Sequence, residues 1–513
     1  MPCKEFRLGV FFDGTGNNKE NDLAGKSANG PSNVAKLSQL YKNGEEILHN
    51  DPDFRGKNRF TDTCEIHTKM IYVEGVGTRS PKMVWKQGRQ IGTQYAPGAY
   101  GTIPVYEWKQ ELEYQENYGS GNMAGTEGAQ RINNAIEQVR AALKGKSEKE
   151  YNRTIDVFGF SRGAAMARDF INTFKYENDD IEIDFGFVGL FDTVASFGLG
   201  GDNINLKPIN PNEHSEHETI PHELAKKHPN KATYLKAIAG LPGNLTTKQY
   251  EKMIEEEFEP YNLNLHIKSA EKVTHLVAAD EYRTNFPLTD IKGVGIDNKL
   301  IGVHSDIGGG YPPISKEKAS FYPDGRRYTK EPLLLSVFTE YDAKTEATRA
   351  AKKAQADLGN GWQCKAVKKM SLLSGDYYTV YCEQQRTITD DLQKVGLASM
   401  YNQAVLGKAP LNELPEQDIP SKLQAYHAKT TQTPATAASY SPRQPILDEF
   451  AHRSSVDSKE THHRRDAGPY DGIHGWDDLK AYGIDRVAMG MNYDESDKPK
   501  RTVFENNPNN AVI

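Results

Sequence analysis

At 513 residues the chain is too long for one compact core and fits either one large domain with insertions or two domains. Hydrophobic residues make up 37% and aromatics 10%, which excludes global disorder, and 63 basic against 70 acidic side chains leave a net charge of −7, which argues against nucleic acid as a main partner. Four cysteines, Cys3, Cys64, Cys364 and Cys382, are too few and too scattered for a disulfide scaffold, so the expectation is folding in a reducing cytosol.

Met1 to Leu8 holds no basic segment followed by an apolar core, so no cleaved secretory signal is expected and any export uses another route. Phe6–Phe12 is a short apolar run ended by Asp13-Gly14-Thr15-Gly16-Asn17-Asn18, and Met70–Val73 is another ended by Glu74-Gly75-Val76-Gly77-Thr78. Both read as buried parallel strands entering loops at their carboxyl ends. Ile132, Ile136, Val139 and Leu143 recur at helical spacing within Gly128–Leu143. Thr154–Phe160 is the next strand, Ala164–Arg168 favours a helix, and Ile183–Leu190 is a strand again. This alternation predicts an α/β fold with a mostly parallel, doubly wound sheet.

Residues 200–259 turn polar and rich in His, Lys and Glu, with helix-like pieces at 218–227 and 247–257, and read as an insertion over the sheet, a candidate cap. Strands are expected to resume at Asn262–Ile267, Thr274–Ala278 and Leu300–Val303. The organisation that follows is a catalytic core over 1–312, a mixed α/β extension over 313–429 with a hairpin near Ser374-Gly375-Asp376, a low-complexity linker over 430–440 and a C-terminal segment over 441–513.

The densest chemistry lies at Gly159-Phe160-Ser161-Arg162-Gly163, where a strand feeds a sharp turn and then a helix. That is the setting of a nucleophile elbow, in which small flanking residues leave room for a strained turn that lifts the serine hydroxyl off the sheet. With 44 glycines in the chain the bare pattern is weak, and its flanking strand and helix raise it. A serine hydroxyl needs a histidine to take its proton and a carboxylate to orient that histidine. Asp192, ending the strand after the elbow helix, and His304, in a later loop, follow Ser161 in the order serine, acid, histidine. An oxyanion hole would draw on the N–H of Arg162 and on the loop of Asp13, Gly14 and Thr15. The other histidines read differently: those over 213–228 and His462-His463 as solvated surface, His275 as a satisfied core residue.

Phe11-Phe12-Asp13-Gly14-Thr15-Gly16-Asn17-Asn18, Tyr72–Thr78, Gly159–Gly163, Phe191-Asp192-Thr193-Val194 and His304–Tyr311, in that order, resemble the first family of type VI secretion lipase effectors. The resemblance covers roughly residues 6–312 and is diffuse beyond, although His452-Arg453-Ser454 is similar to a late motif of that family. It implies an α/β-hydrolase fold, phospholipase A activity on membrane phospholipid without a cofactor, and a triad falling on Ser161, Asp192 and His304. It further implies loading on a secretion spike protein, a cognate immunity protein in the producer, and delivery from the cytoplasm into a rival bacterium's periplasm.

Two other readings compete. Asp13, Asp192, His304 and Asp306 as ligands of a divalent metal would make a phosphoesterase, with Gly308–Gly310 binding phosphate through backbone N–H groups. A non-catalytic module that loads onto a secretion spike would use the linker and the insertion instead. The first leaves the elbow unexplained, and the second leaves nucleophile, acid, base and oxyanion loop unexplained together.

Overall fold

The protein is described from a computed structural model, which covers residues 4–48 without 28 and 45, 65–95 without 80 and 81, 102–113, 126–195 without 179 and 180, 262–321 without 284 and 285, 340–358, 362–369, 377–452 without 433, and 500–512. The central sheet combines β1 (Lys4–Phe12), β2 (Glu46–Leu48), β3 (Glu65–Val73), β6 (Tyr151–Phe160), β7 (Asp184–Phe191), β8 (Lys272–Ala278) and β10 (Asp297–Leu300). Their order across the sheet is β10-β8-β7-β6-β1-β3-β2, and every pairing is parallel except β2 with β3. The fold is therefore α/β with a mostly parallel sheet.

Register explains where a site can form. Phe12 lies opposite both Val73 and Gly159, Phe160 opposite Phe191, Phe191 opposite Leu276, and Ala278 opposite Leu300. The strands thus end side by side, and the loops that begin at Asp13, Glu74, Ser161, Asp192 and Ala279 open from one carboxyl edge, the usual place for a site in such sheets. Both faces are covered, as buried apolar strands require. On one face Leu8, Val10, Phe12, Ile155 and Val157 pack under α3 (Thr126–Leu143) and α4 (Arg162–Glu177). On the other, Phe11, Phe158, Phe187 and Phe191 pack under α2 (Asn33–Leu40) and later helices, with Phe11 stacked on Phe158 at 4.6 Å.

Several expectations change. Asn262–Ile267 is buried at Leu263 and Leu265 but forms no strand, because its carbonyls are claimed by side chains: Asn172 Nδ2 donates to Asn262 O and Asn264 O, Arg168 Nε to Leu263 O, and Asn506 Nδ2 to Leu265 O. The strand expected at Leu300–Val303 ends at Leu300, and His304–Gly308 forms a single helical turn, α5. The proposed linker is not one: Ser421–Gln432 is helical, Pro434–Ser439 is a 3₁₀ turn with Ala437 fully buried, and Tyr440 packs edge-on against Tyr426. Ala437 and Tyr440 are what seat this polar-looking stretch on the core.

The extension contains an antiparallel sheet of β11 (Ile314–Phe321), β13 (Tyr377–Thr389) and β12 (Trp362–Lys369), in that order, backed by α6 (Glu340–Leu358). β12 and β13 pair antiparallel on either side of the anticipated hairpin, whose turn at Ser374-Gly375-Asp376 lies outside the described residues. Cys364 and Cys382 face each other across that pair and are joined as a disulfide, at odds with the expectation of a reducing compartment, because the hairpin brings together what 18 residues separate in sequence. β4 (Lys82–Tyr95) and β5 (Thr102–Glu113) pair antiparallel with each other. The insertion over 200–259, its histidines and His462-His463 lie outside the described residues. Of the C-terminal segment, Val503–Phe504 forms β14 and pairs in parallel with β9 (Leu288–Thr289).

Candidate active site

Ser161 stands between β6 and α4 with φ 58° and ψ −126°, a backbone conformation costly for a residue with a Cβ. The surroundings impose it. A Cβ at Gly163 would lie 2.3 Å from Phe12 O and 2.4 Å from Asp13 O, so α4 begins hard against the end of β1 only because residue 163 is glycine. Ser161 N donates to Phe191 O at 3.0 Å and Val194 N donates to Ser161 O at 3.3 Å, which ties the elbow to the loop that carries Asp192.

Asp192 also has positive φ, 42°, and is fully buried. Its Oδ2 lies 2.6 Å from His304 Nδ1, and its Oδ1 accepts from Ala278 N at 2.9 Å. Arg501 grips it with both Nη atoms, at 2.6 Å to Oδ1 and 2.9 Å to Oδ2. Burial works against the charge, but the Arg501 guanidinium and His304 outweigh it and hold the carboxyl well below the usual carboxylate range. Against an ionised Asp192, an Nδ1–H tautomer of His304 can donate to the carboxylate and present Nε2 as an acceptor.

His304 opens α5, and its N–H donates to Glu281 Oε2 at 3.2 Å. Glu281 is gripped in turn by Arg283, Nε to Oε1 and Nη2 to Oε2, both 2.8 Å. Burial opposes that charge as well, yet Arg283 holds the Glu281 carboxyl down at about 2. The imidazole lies between the rings of Phe160, 4.7 Å away, and Phe286, 4.9 Å away. Because Phe160 immediately precedes Ser161, the elbow and the histidine share one wall.

Asp280, Asp306 and Asp13 face other partners. Asp280 accepts from Gly302 N and pairs with Arg443. Asp306 accepts from Val303 N and from His452, whose Nδ1 is 2.6 Å from its Oδ1 and whose ring stacks on Tyr311 at 3.6 Å. Asp13 accepts from Ser32 Oγ at 2.6 Å and Tyr72 OH at 2.5 Å, and burial pushes its carboxyl up. Of the four residues of the metal reading, Asp192 and His304 pair with each other while Asp13 and Asp306 have separate partners, and among the described residues no group of three or more His, Cys, Asp or Glu is placed to hold a metal ion.

The oxyanion loop narrows. Asp13 N already donates to Val73 O at 2.9 Å as a continuation of the sheet, and Gly14 N is turned onto the Asp13 carboxylate at 2.7 Å. Of the expected set, Arg162 opens α4 directly after Ser161, and Thr15 Oγ1 is buried with no hydrogen-bond partner. His275 is a satisfied core residue as expected, with Nδ1 2.7 Å from Asp297 Oδ1 and Nε2 accepting from Thr193 N at 3.1 Å. Sequence reasoning did not find Glu281, Arg283 or Arg501. The first two sit in an ordinary-looking turn, and Arg501 is 309 residues from the acid it grips, with no local pattern to mark it.

Residues 7–174 match the family described as the T6SS phospholipase effector Tle1-like catalytic domain. The family resemblance is shown over that stretch. The structure is similar to that of the Tle1 effector bound to the VgrG spike from the Type 6 secretion system, with a TM-score of 0.53 and 18% identity, over 98% of this chain and 94% of that one. At that identity the likeness shows the fold. An uncharacterized protein from Pseudomonas aeruginosa aligns at a TM-score of 0.33 with 18% identity over 87% of this chain and 52% of its own. Integrator complex subunit 4 of Mus musculus is 29% identical over 91 residues, 14% of this chain and 9% of that protein. The chain therefore spans under a tenth of the length of that curated relative.

Proposed function

We propose that the protein is an antibacterial effector that hydrolyses an acyl ester of membrane glycerophospholipids, acting as a phospholipase A through Ser161, His304 and Asp192. The observation that carries this is the His304 Nδ1 to Asp192 Oδ2 contact at 2.6 Å beside a serine held at positive φ. In the proposed course His304 Nε2 takes the Ser161 proton as Oγ adds to the ester carbonyl, and Asp192 stabilises the imidazolium. The oxyanion is met by the Arg162 N–H and by Thr15. His304 then returns the proton to the departing lysolipid alkoxide, leaving an acyl-serine. Water, deprotonated by the same imidazole, releases the fatty acid and restores the hydroxyl.

The Tle1 effector of the similar structure is bound to a VgrG spike. That supports spike-borne secretion for this chain, and the proposal extends to action on membrane lipid in the target periplasm and to an immunity protein in the producer. Among the described residues no helix is long and apolar enough to cross a membrane.

The test is digestion of phospholipid vesicles with mass spectrometry of the products, beside labelling by a fluorophosphonate. Free fatty acid and lysolipid, with label on Ser161, are expected, and Ser161→Ala should lower turnover by at least about 10⁴-fold while leaving the fold intact. Release of a phosphorylated headgroup, or undiminished turnover in folded Ser161→Ala, would overturn the reading.

A further inference from the structure

We propose that Arg501 is the positioning residue of the acid–base pair, so that docking of the chain's last residues completes the catalytic centre. This rests on the proposed roles of Asp192 and His304. A carboxylate with no solvent exposure needs more than an imidazole and one backbone N–H to remain charged. Arg501 supplies a permanent cation in the two-toothed geometry that fixes a carboxylate's plane as well as its charge. Fixing that plane aims Oδ2 at His304 Nδ1, which sets both the tautomer and the tilt of the ring.

The guanidinium is itself anchored. Arg501 Nε donates to Phe286 O at 2.8 Å, and the Phe286 ring is one of the two walls of the imidazole. Leu288 N donates to Thr502 O, β14 extends the pairing, and Asn506 locks the strip by donating to Asp290 Oδ1, Leu265 O and Lys292 O while accepting from Arg168 Nη2 and Leu265 N. These bonds set the strip's register on the core, so Arg501 reaches Asp192 only when residues 501–506 are seated. The charged groups around Asp192 are His304 from α5, Arg501 from the tail, and the Glu281–Arg283 pair after β8. Arg283 pairs with Glu281, and among the described residues Arg501 is the arginine or lysine in contact with Asp192.

The experiment compares full-length Arg501→Gln and Arg501→Lys with Ser161→Ala, Asp192→Asn and Asp192→Asn/Arg501→Gln, each checked for folding by thermal unfolding and assayed on a soluble short-chain ester across pH. Arg501→Gln should lower kcat about ten- to a hundred-fold, the scale seen when a group orienting a catalytic residue is removed, with KM within about three-fold. Burial of Asp192 would then be less opposed, so the acid limb of kcat should move up by about one pH unit or more. Arg501→Lys, which keeps the charge without the two-toothed grip, should fall between, and it carries the comparison should the glutamine variant not fold. In the Asp192→Asn background Arg501→Gln should add less than about two-fold, since the two act as a unit. An unshifted acid limb with wild-type kcat, or the same loss in both backgrounds, would overturn the role of Arg501. Retained activity in Ser161→Ala or Asp192→Asn would instead defeat the triad itself, so the two failures are distinct.

Discussion

Phe160 and His304 lie ring against ring with centroids 4.7 Å apart, so the residue that leads into the strained serine also supports the imidazole. The same phenyl fills space that two glycines leave open: a Cβ at Gly308 would stand 1.9 Å from Phe160 Cε2, and one at Gly14 2.5 Å from its Cδ1. One side chain thereby sets the spacing between elbow, Asp13 loop and α5.

From that packing, Gly308→Ala alone should abolish soluble expression or cut kcat more than about ten-fold, because a methyl group there overlaps the ring. Phe160→Leu should destabilise by about 1–3 kcal/mol and lower kcat more than KM. Combined, the two changes should recover part of the loss, since the smaller side chain admits the methyl group. Urea unfolding and ester kinetics on the three variants check this, and strictly additive losses would mean that the ring and the glycine do not share the space.

Activity should persist in excess chelator. The oxygens of Asp192 and Asp306 are taken up by Arg501, His304 and His452, and no step proposed for Ser161 draws on a metal ion. Vesicle hydrolysis with and without chelator, followed by return of divalent ions, is the measurement. Complete loss restored by the ion would favour the phosphoesterase reading of Asp13, Asp192, His304 and Asp306.

The parallel strands and the elbow were legible because their signals are local: an apolar run, a turn of small residues and a helical period each lie within a dozen residues. That Asp192 and His304 meet could be anticipated because loops at the carboxyl ends of strands have few places to go. What stayed hidden depends on distant chain. Arg501 reaches Asp192 across 309 residues, and the carbonyls of Asn262–Leu265 are satisfied by side chains of Arg168, Asn172 and Asn506 rather than by a neighbouring strand. The 430–440 stretch misled for a related reason: Thr, Ala and Pro look like a tether in sequence, yet Ala437 is small enough to pack into the core.

Stability should fall with rising pH in a window set by Asp22. Burial pushes its carboxyl up to about 7 from an ordinary 3.8, despite hydrogen bonds from Asn18 N and Ser27 Oγ. The folded state therefore binds that proton more tightly than the unfolded chain, so stability is fully present below about 4 and declines until about pH 7, where the folded group has ionised. Asp22→Asn should flatten this slope, raising Tm at pH 8 by a few degrees while changing it little at pH 4. Parallel Tm curves for the two proteins between pH 4 and 8 would assign the pH dependence to other groups.

Reduction of the Cys364–Cys382 disulfide should loosen the extension and spare the chemistry. The bridge joins β12 to β13 in a unit whose core among the described residues is built around Ala347, Ala351, Tyr378, Val380 and Cys382, a smaller apolar cluster than those that hold the main sheet. A crosslink closing a loop of this length is worth about 3 kcal/mol, most of it through the unfolded state. Ser161, Asp192 and His304, by contrast, stand at the ends of parallel strands and at α5, which are held by the buried rings of the main sheet. Cys364→Ala/Cys382→Ala should therefore exchange amide hydrogens faster over 340–358, 362–369 and 377–389 while hydrolysing a short-chain ester at close to the wild-type rate. Equal acceleration of exchange in β1, β6 and β7, with activity lost alongside, would mean that the extension and the catalytic sheet fold as one cooperative unit.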